Sequence, residues 1–441
     1  MVEDIIIGRD ESDKKKFGKE GLVYIGKHYV KMGQTTSLSG KMMMDVARSH
    51  VVLIAGKRGS GKSYTLGVIA EEISDLPKEV NQNIGVLIFD TMGIYWTMNY
   101  RNEKEDSLLR EWGMESKKIP VNIFVPYGYA DKWREKGIPV TTAFALRVSD
   151  ITIDDWLLTF NLSFTDPTGI VISRNITWFE EEFENKGKEY DLDDVISRIK
   201  ADKEGGKTER DAAINFFEGA KLWGIFATKK QKGTTVKDLI TAGKTSVLDL
   251  SCYPSTGLVN VRALVIGLIS KKLFNERMDA RKHEEVEAVR HGLDYLNYKE
   301  KREMPMVWLM IDEGHEFMPL QGKTAATDAL VQLLREGRQP GISLVIATQQ
   351  PGQIHRDVMT QSDIVISHRV TAKPDIDSLN YIMQTYLTAD INTYLDNLPR
   401  TKGTAIILDD NSERIYPMRV HPRFTWHGGE APTAIKVKER M

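Results

Sequence analysis

The run Gly56-Lys57-Arg58-Gly59-Ser60-Gly61-Lys62-Ser63 matches G-x-x-x-x-G-K-[ST] in full. Its glycines let the backbone curl until successive N–H groups point at one centre, a geometry that holds phosphate oxygens. Lys62 can then reach the β- and γ-phosphates of a nucleoside triphosphate, and the Ser63 hydroxyl can ligate Mg²⁺. A helix beginning at about Lys62 would add the positive end of its dipole. Gly56, Gly59, Ser60, Gly61, Lys62, Ser63 and Tyr64 are therefore the expected nucleotide-binding residues. An apolar strand, His50–Ala55, precedes the run and an amphipathic helix follows, a context that a chance glycine-rich turn would lack.

A second constellation closes the apolar run Met306–Ile311 with Asp312 and Glu313. At the end of a parallel strand, Asp312 would meet the Mg²⁺ shell, and Glu313 would orient or deprotonate an attacking water. Ser343–Thr348 ends in Gln349, an amide placed to bond the γ-phosphate or its water. Arg335 and Arg338 close the helix before that strand. Each either caps a helix C-terminus or acts as an arginine finger toward a neighbouring subunit's nucleotide. His315 and Glu316 have no third ligand at metal spacing, so His315 reads as part of a connecting loop.

These residues need a scaffold that brings several strand ends together. Apolar runs at His50–Ala55, Ile84–Phe89, Ser246–Leu250, Val307–Ile311, Ser343–Thr348 and Ile364–Arg369 alternate with helical patterns. That order predicts βαβ units and a mainly parallel sheet covered on both faces. Residues 150–240 carry apolar side chains at helical spacing and read as an inserted helical bundle, with Trp156, Trp178 and Trp223 in its core. A long helix is expected around Val259–Asp279, followed by an exposed polar segment over 281–303. Leu22–Ile25 and Tyr29–Met32 flank a glycine-containing break, the pattern of a short hairpin. The expected division is a β-rich segment over 1–45, core halves over 46–149 and 241–421 around the bundle, and a C-terminal arm over 422–441.

Composition narrows the partners. Sixty Lys and Arg against 62 Asp and Glu leave a net charge of -2, which excludes a histone-like binder. The lone Cys252 rules out an internal disulfide and a cysteine-built zinc site. No apolar stretch approaches a bilayer span and the acidic N-terminus is unlike a signal peptide, so a cytoplasmic protein with no membrane partner is expected. The candidate DNA contacts are the basic loop Lys229, Lys230 and Lys232, together with His355 and Arg356. Each reads equally as a solvated charged loop.

Taken together, Gly56–Ser63, Asp90 ending the second strand, Ile311-Asp312-Glu313-Gly314-His315, Arg335-Glu336-Gly337-Arg338 and Ala347-Thr348-Gln349-Gln350-Pro351 resemble the HerA-like branch of the HerA/FtsK superfamily of DNA-pumping ATPases. The resemblance covers roughly 45 to 425. It implies a RecA-like P-loop NTPase core, ATP and Mg²⁺, a homo-hexameric ring around double-stranded DNA, and a NurA-type nuclease partner. It also implies Lys62 and Ser63 at the nucleotide, Asp312 at the metal, Glu313 as base, Gln349 as phosphate sensor, and Arg335 or Arg338 as a trans-acting finger. Phe424-Thr425-Trp426 matches the family's arm, which reaches over a neighbouring subunit. Ile94 stands where the family usually has Glu, and Gln350 where Arg is common. The nuclease-docking barrel of relatives needs far more than about 45 residues, so the N-terminal segment is expected to be a reduced barrel, or docking works differently. The phosphate-site residues are shared by secretion- or conjugation-type motors that move protein, and by nucleotide-dependent scaffolds for a nuclease.

Overall fold

Strands that are apolar at every position can be stable only when both faces are covered. The computed structural model describes residues 4–32, 35–183, 188–255, 259–297, 299–383, 394 and 398–434. In chain order its strands are β1 (Ile5–Ile7), β2 (Leu22–Met32), β3 (Thr35–Asp45), β4 (Val51–Ala55), β5 (Ile84–Asp90), β6 (Val121–Pro126) and β7 (Thr142–Phe144). There follow β8 (Thr245–Asp249), β9 (Met306–Ile311), β10 (Ile342–Thr348), β11 (Ile364–His368), β12 (Thr404–Asp409) and β13 (Arg414–Val420). They form one 13-stranded sheet in the order β1-β3-β2-β13-β12-β11-β4-β10-β9-β5-β8-β6-β7. From β11 to β7 every neighbouring pair is parallel. Between β11 and β3 every pair is antiparallel.

The central strands divide their side chains between two cores, because successive residues point to opposite faces. Leu53, Leu87, Leu309 and Ile346 face one, with the helices between β7 and β8 and the helix Val261–His291; Ile54, Ile88, Met310 and Val345 face the other, with the helix Lys62–Ser74. Each fully buried aliphatic side chain contributes about 1.5–3 kcal/mol relative to exposure. Between β7 and β8 lie the helices Ile153–Phe160, Pro167–Glu182, Leu192–Ala201 and Lys207–Lys221. Trp156 is buried among them, and Trp178 and Trp223 pack against the same core. No helix among the described residues is long and apolar enough to cross a membrane.

Three expectations about the N-terminal strands and the long helix differ from what is seen. The supposed hairpin is one continuous strand, β2, whose partner is β3, with register shifts at Tyr24/Gly26 and Lys27/Tyr29 where the sequence looked broken. β1–β3 do not close into a barrel; they extend the open sheet through the β13–β2 pairing, and β1 forms its edge. The long helix runs from Val261 to His291 rather than stopping near Asp279. Arg277, buried, binds Glu284 and the carbonyls of Pro340 and Met304, which ties this extension to the core.

A charged cluster fastens the antiparallel wing to the parallel half. His50, just before β4, has Nδ1 at 2.7 Å from Asp363 Oδ2 and Nε2 at 3.1 Å from Asp45 Oδ2. Asp45 also accepts from Arg9, and Asp363 accepts from the Val51 N–H at 2.8 Å. Burial opposes a charge on His50, but the two carboxylates outweigh it and hold its pKa up at about 9.

The C-terminal segment is fastened to its own chain. Glu71, on the helix Lys62–Ser74, accepts from the N–H groups of Phe424 (2.9 Å) and Thr425 (3.2 Å) and from Thr425 Oγ1 (2.5 Å). Arg423 Nε lies 3.4 Å from Glu71 Oε2, and both side chains are fully buried. A Cβ at Gly67 would come within 2.5 Å of Arg423 Nη1, so only glycine leaves room for the guanidinium. The arm expected to reach a neighbour is thus, over Arg423–Thr425, a buried clasp on the phosphate-loop helix.

Two stability measurements check these clusters. A folded pKa raised from 6.5 to about 9 gives stability that is complete below about pH 6.5 and lost as pH rises through about 9. The thermal midpoint should fall over that window by an amount worth on the order of 3 kcal/mol, and His50→Gln should flatten the profile. A flat wild-type profile would refute the charged link. Glu71→Ala leaves Arg423 buried without its carboxylate and should destabilise by roughly 3–5 kcal/mol in urea denaturation.

Candidate nucleotide site

β4 delivers the chain to Gly56 at the C-terminal edge of the parallel strands. The Gly56 N–H donates to Thr348 O (3.3 Å) and the Lys57 N–H to Arg369 O (3.0 Å), so the loop is tied to the ends of both flanking strands. Gly61 caps the helix Lys62–Ser74 at φ 117°, a conformation that disfavours any side chain. A Cβ at Gly56 would sit 2.4 Å from Ser60 Oγ and 2.8 Å from His368 Cβ. No side chain caps this helix, so its first N–H groups remain available to an anion. Ser60 Oγ is buried without a hydrogen-bond partner among the described residues.

His368 supports the loop from below. Its Nε2 is 2.8 Å from Thr65 Oγ1 and its Nδ1 3.1 Å from Thr404 O. Burial pushes its pKa down to about 4, so a neutral ring lies under the phosphate-binding turn.

Lys62 is buried, which lowers its pKa, while Glu313 and Asp312 pull it back up. Asp312 is buried at the end of β9, with Oδ1 accepting from the Glu313 N–H at 2.9 Å. Glu313 stands at φ 54°, ψ 44°. This left-handed conformation costs a non-glycine residue about 1–2 kcal/mol, and it turns the chain out of the sheet directly after Asp312. Glu313 Oε1 accepts from Gln349 Nε2 at 2.9 Å, and Oε2 is buried with no hydrogen-bond partner among the described residues. Burial and then the charge of Asp312 push the Glu313 carboxyl up to about 7, against the pull of Lys62 and Gln349. A carboxyl poised near neutrality with one unpaired oxygen is suited to taking a proton from a water held against it. His315 Nδ1 lies 3.2 Å from Thr348 Oγ1 and 3.6 Å from Glu313 Oε2, so it belongs to the surroundings of the base.

Two contributors were missed in the sequence. One is His368. The other is Tyr95, fully buried, whose hydroxyl lies 3.2 Å from Ser63 O and 3.4 Å from Asp312 Oδ2. Its N–H donates to Asp90 Oδ2 at 2.8 Å, and Asp90 also accepts from Met92 and Gly93. Burial and the neighbouring Asp249 push Asp90 up to about 7. Tyr95 thereby links Ser63 to Asp312. Together these two supply a hydroxyl and a carboxylate, a donor set that fits Mg²⁺ completed by phosphate and water. Among the described residues no group of three or more His, Cys, Asp or Glu could hold a metal ion.

Other expected residues lie elsewhere. The Tyr64 hydroxyl donates to Glu105 and accepts from the Arg423 N–H, so this side chain serves the C-terminal clasp rather than the phosphate loop. Arg335 and Arg338 are exposed and end the helix that feeds the opposite end of β10; Arg335 Nε is 2.5 Å from Asp357 Oδ2. Lys229 Nζ donates to Asp194 at 2.6 Å, while Lys230 and Lys232 are exposed. His355 accepts from the Asp357 N–H at the start of the helix Arg356–Gln361, with Arg356 exposed beside it.

This arrangement has relatives. A full-length likeness exists to VirB4 of Thermoanaerobacter pseudethanolicus (TM-score 0.53, 12% identity, 91% of this chain and 96% of that one). The bacterial conjugative coupling protein TrwB is similar (TM-score 0.52, 11% identity, 93% and 97%). At these identities the likeness concerns the fold alone, a RecA-like P-loop ATPase core. The Probable DNA double-strand break repair helicase HerA of Methanocaldococcus jannaschii is 28% identical over 142 residues, 30% of this chain and 27% of that protein. The DNA double-strand break repair helicase HerA of Pyrococcus furiosus is 26% identical over 191 residues, 40% and 33%. The matched stretches thus span about a third or less of these curated relatives. Residues 23–273, more than half of the chain, match the family described as Helicase HerA, central domain. With its phosphate loop, buried lysine and paired strand-end carboxylates, this chain belongs to that family.

Proposed function

We propose that this chain is the ATP-hydrolysing subunit of a ring-forming motor that translocates on or unwinds double-stranded DNA, coupled to a nuclease of the NurA type in DNA processing. The observation that carries this reading is Glu313, its Oε2 buried and unpartnered among the described residues, beside buried Lys62 and Asp312 and held by Gln349. The loop amides and Lys62 hold the phosphates, and Glu313 takes the proton of the attacking water. Gln349 stands where loss of the γ-phosphate would change its bond to Glu313. Ser63 and Asp312 would hold Mg²⁺, which supplies charge neutralisation at the β- and γ-oxygens.

The arginines complete the reading. Because Arg335 and Arg338 lie at the other end of β10, either can serve only a neighbouring subunit's nucleotide, which requires an assembly such as a homo-hexamer. Lys230, Lys232 and Arg356 are the exposed cations available to DNA phosphates, with Lys229 and His355 beside them. The family, the HerA relatives and the absence of a spanning helix among the described residues support a cytoplasmic, DNA-directed reading. Residues 1–45, 46–149, 150–240, 241–421 and 422–441 are proposed as its functional divisions.

ATP turnover measured with and without duplex DNA at low salt tests the cargo. Stimulation is expected; an unresponsive, fully active ATPase would instead indicate a protein-moving ring. Lys62→Ala should lower nucleotide affinity and turnover by about a hundredfold or more, and wild-type turnover in that variant would overturn the site. Glu313→Gln should retain ATP binding and cut hydrolysis by about 10²–10⁴. Arg335→Ala or Arg338→Ala should retain binding while at least one cuts turnover by about 10³. Mixing that variant with Glu313→Gln subunits should restore part of the activity; absence of rescue would exclude an arginine acting across subunits.

A further inference from the structure

Burial and helix electrostatics both oppose the charge on Arg262. It is the second residue of the helix Val261–His291, whose N-cap Asn260 accepts from the Ala263 N–H at 3.0 Å. The N-terminal end of a helix carries partial positive charge, so a cation in its first turn is disfavoured. The Arg262 side chain is also only 8% exposed, and taking a charge out of water is costly. Its Nε is buried with no hydrogen-bond partner among the described residues. A residue that goes against helix electrostatics, solvation and hydrogen bonding at once marks a position retained for function.

The carboxylate that faces this charge is Glu316, whose Oε2 lies 3.6 Å from Arg262 Nη1. Glu316 closes the 3₁₀ turn Gly314–Glu316, and its N–H donates to Glu313 O at 2.9 Å. One short turn therefore joins the residue proposed as base to the acid that Arg262 holds. Burial raises the Glu316 carboxyl, Arg262 draws it down, and Asp312 opposes that pull. Three carboxylates thus converge at the end of β9, and two cations share their compensation. Lys62 acts on Asp312 and Glu313, and Arg262 acts on Glu316.

An anchor can position another residue only if it is itself fixed. Residues 261–270 are all buried, and farther along the same helix Arg277 binds the carbonyls of Pro340 and Met304. Glu313, by contrast, stands in a left-handed conformation that persists only with outside support. We infer that Arg262 is a positioning residue for hydrolysis: through Glu316 it ties the turn that carries Glu313 to the helix Val261–His291 and restrains the third carboxylate beside the site. The inference rests on the nucleotide site proposed above. It adds a residue that lies outside both the phosphate loop and the strand-end acids.

The test is steady-state ATP hydrolysis with Mg²⁺, beside equilibrium binding of a fluorescent ATP analogue. The proteins are the wild type, Arg262→Met, Arg262→Lys, Glu316→Gln and the double variant Arg262→Met/Glu316→Gln. Arg262→Met should lower kcat by about tenfold or more, with KM and analogue affinity within about threefold of wild type. Glu316→Gln should lower kcat by about threefold or more. The double variant should be more active than Arg262→Met by about threefold or more, because the carboxylate left unpaired by the first change is gone. An arginine that only fills space predicts the reverse, two changes lowering kcat at least as far as one. Wild-type kcat in Arg262→Met or in Glu316→Gln, or a double variant no more active than Arg262→Met, would overturn the inference and leave Lys62 and Glu313 in their roles. Loss of analogue binding in folded Arg262→Met would also overturn it, by assigning Arg262 to the nucleotide itself. If Arg262→Met does not fold, Arg262→Lys and Glu316→Gln decide. A kcat kept within about threefold in the first and lowered in the second supports the inference; the opposite order overturns it. A wild-type protein that neither binds the analogue nor hydrolyses ATP would remove the nucleotide site, and the inference with it.

Discussion

Lys62, Asp312 and Glu313 share a seam from which the fold has removed much of the water, and the proposed hydrolysis depends on that enforced proximity. Burial alone would lower the pKa of Lys62 and raise that of Glu313; the opposite charges restrain both shifts. A group of this kind does not stay assembled by its own attraction, because desolvation of charges costs several kcal/mol each. It stays because each member is rooted in a rigid element. Lys62 begins a helix pressed on the sheet, and Asp312 ends a strand buried on both faces. Glu313 is held in a strained backbone conformation by the strand before it and by Gln349 beside it.

The rooting extends outward in three directions. Below, His368 fills the space under Gly56, where a Cβ would come within 2.8 Å of its side chain, and it lies in ordinary contact with Gly61. To one side, the Tyr95 hydroxyl lies between the Ser63 carbonyl and Asp312, so the backbone that carries the Ser63 hydroxyl is tied to the neighbourhood of the carboxylate. Along the helix Lys62–Ser74, Glu71 grips the C-terminal segment through two backbone N–H groups, a hydroxyl and Arg423. The far end of the chain is thereby packed two turns from the phosphate loop. Tyr64 touches the same segment through its hydroxyl. Any displacement of that helix's first turn is therefore felt by Arg423–Thr425, in a way that a loosely tethered arm would not register.

The parts legible in the sequence are those whose chemistry is local. Gly56–Ser63 is a contiguous pattern whose glycines are dictated by backbone geometry. The strands β4, β5, β9 and β10 announce themselves because burial on both faces demands uninterrupted apolar runs. The helical insertion was readable from spacing, and its starts carry a further local sign: Thr152 with Asp155 and Asp191 with Asp194 form capping boxes. What escaped depends on distance in space. Tyr95 and His368 act on residues more than thirty and three hundred positions away, and nothing beside them in the chain marks a buried tyrosine or histidine as a support. The continuity of β2 was hidden because its register shifts fall where Gly26 and His28 broke the alternation. The fate of Phe424 was hidden because Glu71, its anchor, reads as one more polar residue of a helix. The sheet's antiparallel wing joins the two ends of the chain, a pairing that no local pattern encodes.

Charge placement separates the two polyanions this chain is proposed to handle. Around the phosphate loop the cations Lys57, Arg369, Arg400 and Lys402 lack ion-pair partners within the described residues, so their field is available to a bound nucleotide. At the basic loop, Lys229 is spent on Asp194, and the insertion's acids Asp191 and Asp193 lie close enough to hold its charge. Under the proposed function, a chain of net charge -2 arranged in this way would hold a nucleotide firmly and a duplex weakly. Weak contact per subunit suits a translocating ring. Copies arranged around a channel raise the effective concentration of phosphate contacts, while a strong grip by any one subunit would oppose release at each step. The near-neutral chain and a DNA-moving assembly are therefore compatible, provided that the duplex is held by several copies at once and the triphosphate by one.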